Sequence, residues 1–330
     1  MNTYIFYPGC SMEGSAKAYY DSLKAIKDVL GMSLKEIDDW NCCGATEYVS
    51  MNLIPAYSLI ARNLALAANQ SDSSKTLLAP CSACYLNLEK ADYYMSERPS
   101  LGLKVNEALA AGGLHYDPGS IQIRHLLDVI INDIGLDFIK SKVTNPLTGL
   151  RIAPYLGCMV PRPDYQHRWS DYEQPTELDD VLKVLGADVI DFPLKTNCCG
   201  GHMTQIGPET AYELIRRLIS SAEENNAHIM VTVCPMCQMN LDAYQSETNR
   251  YFGTNYHMPI VFFTQLMALA FGKSPQEAGF GMELTNARDA LAKIGIETPI
   301  PTVKASPKQN GLPMPIRKHK KYASGQEASE

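Results

Sequence analysis

The sequence predicts an α/β protein made of two pseudo-symmetric halves, each a small parallel sheet with helices. Three observations predict it. One set of cysteine motifs occurs twice, in the same order. Segments of strand and helix character alternate along both halves, the pattern of a parallel sheet. Each cysteine motif also follows closely on a strand-like segment. The cysteines of each half should therefore collect at the carboxyl ends of the strands, where open α/β sheets place their ligands.

The repeat is explicit. Tyr7-Pro8-Gly9-Cys10 is echoed by Tyr155-Leu156-Gly157-Cys158, and Asn41-Cys42-Cys43-Gly44 returns as Asn197-Cys198-Cys199-Gly200. Cys81-x-x-Cys84-x-x-Asn87-Leu88 returns as Cys234-x-x-Cys237-x-x-Asn240-Leu241. These motifs use all ten cysteines of the 330-residue chain. Three matches in one order mark an internal duplication.

Taken in order, Thr3–Tyr7 reads as a strand, Ala16–Leu30 as a helix stopped by Gly31, and Leu34–Asp38 as a second strand leading to Cys42-Cys43. Asn52–Ala68 is a helix, Lys75–Ala79 a strand delivering Cys81, and Cys84–Met95 a helix that opens at the CxxC motif. The second half repeats the series: strand Arg151–Leu156, helix Glu177–Leu185, strand Asp188–Phe192, helix Glu209–Glu223, strand His228–Val233. The halves are thus Rossmann-like. A break near Ser141–Gly149, with Asn145-Pro146 and Thr148-Gly149, divides a first domain, 1–147, from a second, 148–273. The apolar run Pro259–Phe271 is too short to span a bilayer and reads as a buried helix. Residues 274–330 form a partly irregular extension in which Glu283–Ile294 has amphipathic helix character.

Composition narrows the function. Hydrophobic residues make up 45% and charged residues 20%, as in ordinary globular proteins, and the net charge is −7. An acidic chain gives no reason to expect nucleic acid as a partner. The amino terminus has no basic, then apolar leader, and no segment suits a membrane span, so the cytoplasm is the expected location. Thiols stay reduced there, and ten cysteines then point to metal or redox chemistry rather than disulfides.

Each half offers one CxxC, one adjacent Cys-Cys pair and one lone Cys. A structural zinc takes four ligands, commonly two CxxC-type pairs. Neighbouring cysteines in extended chain point to opposite faces and converge only if the backbone turns, for which Gly44, Gly200 and Gly201 supply freedom. Two adjacent thiolates sit more easily on a polynuclear iron–sulfur cluster than around one small ion. The C-x2-C-x2-C run of an ordinary cubane site is absent. Helix N-termini beside the CxxC motifs help offset the thiolate charge. Zinc in one half and a metal-free dithiol system are the alternatives.

At these residues the chain resembles the cysteine-rich CCG-domain family, with closest likeness to the B subunit of heterodisulfide reductase and to the B subunit of heterodisulfide-reductase-like complexes of sulfur metabolism. The resemblance covers roughly residues 1–272. It implies two non-cubane [4Fe-4S] clusters, one on Cys10, Cys42, Cys43, Cys81 and Cys84, the other on Cys158, Cys198, Cys199, Cys234 and Cys237. It implies an oxidoreductase that reduces a disulfide, or oxidises a thiol or sulfane sulfur; a substrate disulfide lying between the two clusters is the mechanistic hypothesis. The resemblance also implies two partners, the small iron–sulfur subunit of the same complex and its flavin-bearing iron–sulfur subunit; a lipoyl or other sulfur carrier is a further candidate partner. More distant relatives suggest an alternative, an electron-transfer subunit of a succinate, glycolate, lactate or glycerol-3-phosphate oxidising complex.

Other candidates carry less. His202, just after Cys198-Cys199-Gly200-Gly201, is a candidate proton donor to a leaving thiolate; a histidine capping a turn is the plain alternative. Its first-half neighbourhood holds Thr46 and Glu47 instead. Lys195 is a candidate counter-charge, or else a surface lysine. The loop Pro161–Trp169, with Arg162, His167 and Arg168, suits an anionic substrate or a partner, or is plain surface. His125, opening a helix, reads as structural, Met236 and Met239 as core fillers, and Arg317–Lys321 as a basic tail segment.

Overall fold

Strand-like runs with apolar residues on both faces build two all-parallel, four-stranded sheets. The computed structural model describes residues 2–45, 48–70, 74–163, 165 and 168–296. In the first sheet β1 (Asn2–Phe6), β2 (Met32–Glu36), β3 (Thr76–Ala79) and β4 (Gln122–His125) lie in the order β2-β1-β3-β4. In the second, β5 (Arg151–Tyr155), β6 (Asp188–Val189), β7 (Ile229–Thr232) and β8 (Ile260–Phe262) lie in the order β6-β5-β7-β8. The orders are identical, so the duplicated motifs reflect a duplicated fold.

The period of two along the strands sorts side chains into cores. Tyr4 and Phe6 of β1, Ile152 of β5, and Ile229 and Val231 of β7 enter one core shared by both halves. The alternate residues Ile5 and Tyr7, and Ala153, Tyr155 and Met230, enter two further cores, one per half, which also contain the buried cysteines. The shared core is closed by helix Lys17–Lys27 of the first half and helix Phe263–Ala270 of the second. Tyr19 stacks on Phe262 with ring centroids 4.4 Å apart, and Ser22 Oγ meets Thr264 Oγ1 at 2.6 Å. The connecting segment is tied down as well: Thr144 N and Asn145 N both donate to Ala270 O.

Three expected elements differ. The run from Pro259 is not one helix: Ile260–Phe262 is strand β8, and the helix starts at Phe263. A continuous apolar run carries no change of period to mark that junction. The strand expected over Asp188–Phe192 is only Asp188–Val189. Ile190 N still donates to Ile152 O, but two residues on β5 has Pro154, which has no N–H to continue the ladder toward β6. The helix expected over Glu283–Ile294 is one turn, Arg288–Leu291. Leu284 N and Thr285 N are instead held by the Asp242 carboxylate, and Asn286 Oδ1 accepts from Arg288 N to start the turn there. Residues 317–321 lie outside the described residues.

Because one core serves both halves, cutting into it should weaken both. Phe263→Ala should cost about 3–5 kcal/mol. Denaturation followed by CD should show one transition at a lower midpoint, not a second one splitting off.

Candidate functional site

Both lone cysteines follow a strand through a tight glycine turn. Gly9 (φ 71°) precedes Cys10 and Gly157 (φ 75°) precedes Cys158. A Cβ on Gly9 would lie 2.9 Å from Cys84 Sγ, and on Gly157 3.1 Å from Cys237 Sγ. Glycine there supplies both the left-handed backbone and the room for sulfur. The CxxC motifs sit where β3 and β7 meet the next helix: Cys81 caps helix Ser82–Glu97 and Cys234 caps helix Pro235–Ala243. The Cys-Cys pairs come from loops beyond β2 and β6. The expected turns occur at Gly44 (φ 77°) and Gly200 (φ 89°), but Gly201 is not in the left-handed region; its lack of a side chain makes room for Met236, whose Sδ would lie 3.1 Å from a Cβ there.

The ten sulfurs gather into two equivalent chains. In the first half Cys10 Sγ is 3.6 Å from Cys42 Sγ and Cys43 Sγ is 3.4 Å from Cys84 Sγ. Cys42 also meets Cys43, and Cys84 meets Cys81. In the second half the same order runs Cys158, Cys198, Cys199, Cys237, Cys234. The thiols touch in sequence rather than around one point. Among the described residues, no group of three or more His, Cys, Asp or Glu side chains is placed to hold a single metal ion.

Two pairs of residues, unassigned from sequence, hold the Cys-Cys turns. Tyr7 and Tyr155, buried beside the sulfurs, donate their phenol hydroxyls at 2.7 Å to Asn41 O and Asn197 O, just before each pair. Asn87 and Asn240, also buried, donate from Nδ2 to Cys43 O at 3.3 Å and Cys199 O at 2.6 Å. The signal was present: both residue types recur in the repeated motifs.

Electrostatics make the clustering costly. Cys42 and Cys198 are pulled down to about 2, each by its two sulfur neighbours and, at the margin, by the N–H of Gly44 or Gly200. Those neighbours move the other way: Cys43 and Cys199 are pushed up to about 12, first by the adjacent thiolate, and Cys10 and Cys158 higher still for the same reason. One thiolate forms readily only while the sulfurs around it keep their protons. Five thiolates in one pocket need cations between them.

The second site opens into a cavity of about 210 Å³ lined by its five cysteines together with Met159, Met203, Met236, Leu156, Ile206 and His202. Among the described residues no Lys or Arg lines it, so it offers little to an anionic group and much to an uncharged, apolar one. Ser82, from the first half, also lines it. Met236 packs against both cysteine-bearing cores, whereas Met239, expected inside, is exposed.

The remaining candidates divide. His202 faces the cavity, at the start of the short helix Met203–Ile206. Lys195 does not: it is buried, with Nζ 2.6 Å from Asp179 Oδ1 and 3.3 Å from Pro175 O. Its backbone matters more to the site, since Lys195 O accepts from Leu156 N and Gly157 N, the turn before Cys158. Arg162 donates to Thr196 O, and Arg168 to Ile123 O and Asp128, so both arginines of this loop brace the fold. His167, Thr46 and Glu47 lie outside the described residues. His125 ends β4, accepts from Leu127 N through Nδ1, and is held down to about 4 by burial, in keeping with a structural role.

Comparison with known proteins places the geometry. The cysteine-rich domain named CCG matches residues 4–89 and 152–242. The 8-methylmenaquinol:fumarate reductase membrane anchor subunit of Wolinella succinogenes is 33% identical over 86% of this chain and 97% of its own. A protein of Archaeoglobus profundus described as like the B subunit of heterodisulfide reductase is 28% identical over 89% of this chain and 98% of its own. The B subunit of the ferredoxin/F(420)H(2)-dependent CoB-CoM heterodisulfide reductase of Methanosarcina acetivorans is 25% identical over 87% and 95%. A hypothetical protein from Helicobacter pylori shares the fold, with a TM-score of 0.67 at 14% identity over 86% of this chain and 52% of that one. Among the described residues no helix is long and apolar enough to cross a membrane.

The asparagine braces are testable. Asn240→Ala leaves Cys199 O without its buried donor and should lower stability by about 1–3 kcal/mol in chemical denaturation; Asn87→Ala should do the same at the first turn.

Proposed function

Because the chain belongs to the CCG cysteine-rich domain family, we propose that it is the iron–sulfur subunit of an oxidoreductase complex, holding two non-cubane [4Fe-4S] clusters and acting on a disulfide or thiol. Cys10, Cys42, Cys43, Cys81 and Cys84 would hold one cluster, and Cys158, Cys198, Cys199, Cys234 and Cys237 the other. The observation that carries this reading is the pair of five-thiol chains at matching strand ends. The donor set fits: it is all sulfur, it is too crowded for one ion, and the glycines at 9 and 157 leave space against Cys84 and Cys237. The thiol electrostatics also demand positive charge, which a multi-iron core supplies. The zinc alternative fits less well, since no single-ion arrangement occurs among the described residues.

When bound, such a cluster supplies one-electron chemistry and an iron that takes a sulfur ligand. The protein's own groups do the rest. Tyr155 and Asn240 fix the Cys198-Cys199 turn, and Tyr7 and Asn87 fix its counterpart. Gly200 N and Gly201 N point at Cys198 Sγ and Cys199 Sγ, at 3.4 and 3.3 Å, and favour their thiolate forms. Met159, Met203 and Met236 give the second site an apolar wall. His202, at the cavity, is the group proposed to give a proton to a departing thiolate or to take one from an arriving thiol. Direction follows from the potentials of the partners. The partners proposed are a flavin-bearing iron–sulfur subunit, a small iron–sulfur subunit and a lipoyl or related sulfur carrier.

One observation favours a second reading. The relative named as a subunit of 8-methylmenaquinol:fumarate reductase is more alike, at 33%, than the heterodisulfide reductase subunits reported above. On that reading the chain relays electrons within a dehydrogenase or reductase and touches no sulfur substrate. EPR of the reduced, anaerobically purified protein separates the two. Added thiols or disulfides should change a cluster signal if sulfur is the substrate, and an unchanged signal would favour the relay. Cys199→Ser should remove one signal and spare the other; loss of both would contradict two separate ligand sets.

A further inference from the structure

The duplication is broken at the position after the first cysteine of each CxxC motif, where Ser82 stands in one half and Pro235 in the other. Ser82 opens helix Ser82–Glu97 beside Cys81, a residue of the first site, yet its side chain lines the cavity of the second. It is 1% exposed, and its Oγ has no well-formed hydrogen bond among the described residues. The sulfur it acts on is Cys234. A buried hydroxyl left without an acceptor costs about 1–3 kcal/mol. The lining around it is chiefly sulfur and apolar carbon, so the acceptors within reach are the sulfurs of the second site.

We propose that Ser82 is a cross-half positioning residue whose hydroxyl donates to a sulfur of the second cluster and raises that cluster's reduction potential. Reduction adds negative charge to the cluster, and a donor aimed at its sulfur stabilises the reduced form. Burial makes the bond count, because no water competes for it. The reciprocal contact is missing. Pro235 has no hydroxyl, and what the second half sends toward the core of the first is the thioethers of Met236 and Met159. The first site has a hydroxyl of its own, Ser11 beside Cys10, but Ser11 is only half-buried and Cys10 is exposed, so water shares that donation.

This inference rests on the reading that each five-thiol site holds a cluster. Its test is an EPR-monitored redox titration of the full-length, anaerobically purified holoprotein, with dithionite and mediators. Ser82→Ala should shift to more negative potential the wave that Cys199→Ser abolishes, leave the other wave in place, and remove an exchangeable-proton coupling from the second-site signal. Ser82→Thr, which keeps the hydroxyl, should restore both. A second-site wave that stays put or moves upward overturns the proposal. So does a joint shift of both waves, which would mark a distortion passed through Cys81. Holoprotein without iron, sulfide or any wave would instead defeat the cluster reading, and this inference with it.

Discussion

Charge repulsion among crowded thiolates is the constraint on which the rest of this structure depends. Five cysteines meet in each half, and each sulfur that ionises raises the cost for the next. An ionised sulfur makes its neighbours hold their protons more tightly. A multi-iron core, as proposed above, would let all five serve as ligands. The fold's task is to bring the sulfurs together against that repulsion and to keep them there.

It does so with backbone geometry rather than with salt bridges. Parallel strands β1 and β3 of one sheet, and β5 and β7 of the other, deliver cysteines at their carboxyl ends, and helix N-termini face the CxxC sulfurs. The Cys-Cys turns are strapped from two sides by a tyrosine phenol and an asparagine amide. Each strap is a neutral hydrogen bond from a buried side chain, which fixes the loop without adding a charge. The shared core, with Tyr19 stacked on Phe262, sets the halves against each other. Tyr19 is also close enough to feel both Cys81 and Cys234, so the two sites are neighbours across that core.

Much of this was legible in the sequence. The repeated motifs named the ten sulfurs and the order of the fold, because a cysteine motif survives duplication as a string. The fourth strands were not legible. β4 is the short, polar-ended Gln122-Ile-Arg-His125, and β8 is hidden at the head of an apolar run. Lys195 read as a counter-charge from its place beside the motif; only the fold shows its ammonium turned to Asp179. Ser82 was invisible for a related reason. Its importance depends on the approach of one half to the other, and no local pattern encodes that. Departures from exact repetition, such as Ser82 against Pro235 and the apolar cavity beside His202, are where the two sites differ in their surroundings.

The central claim is that each five-sulfur pocket encloses a multi-iron core. Native mass spectrometry of the anaerobically purified chain tests it most directly. The account predicts added mass equal to two units of four irons and four sulfides, about eight of each per chain. A chain carrying one or two zinc ions, or no added mass, would contradict it.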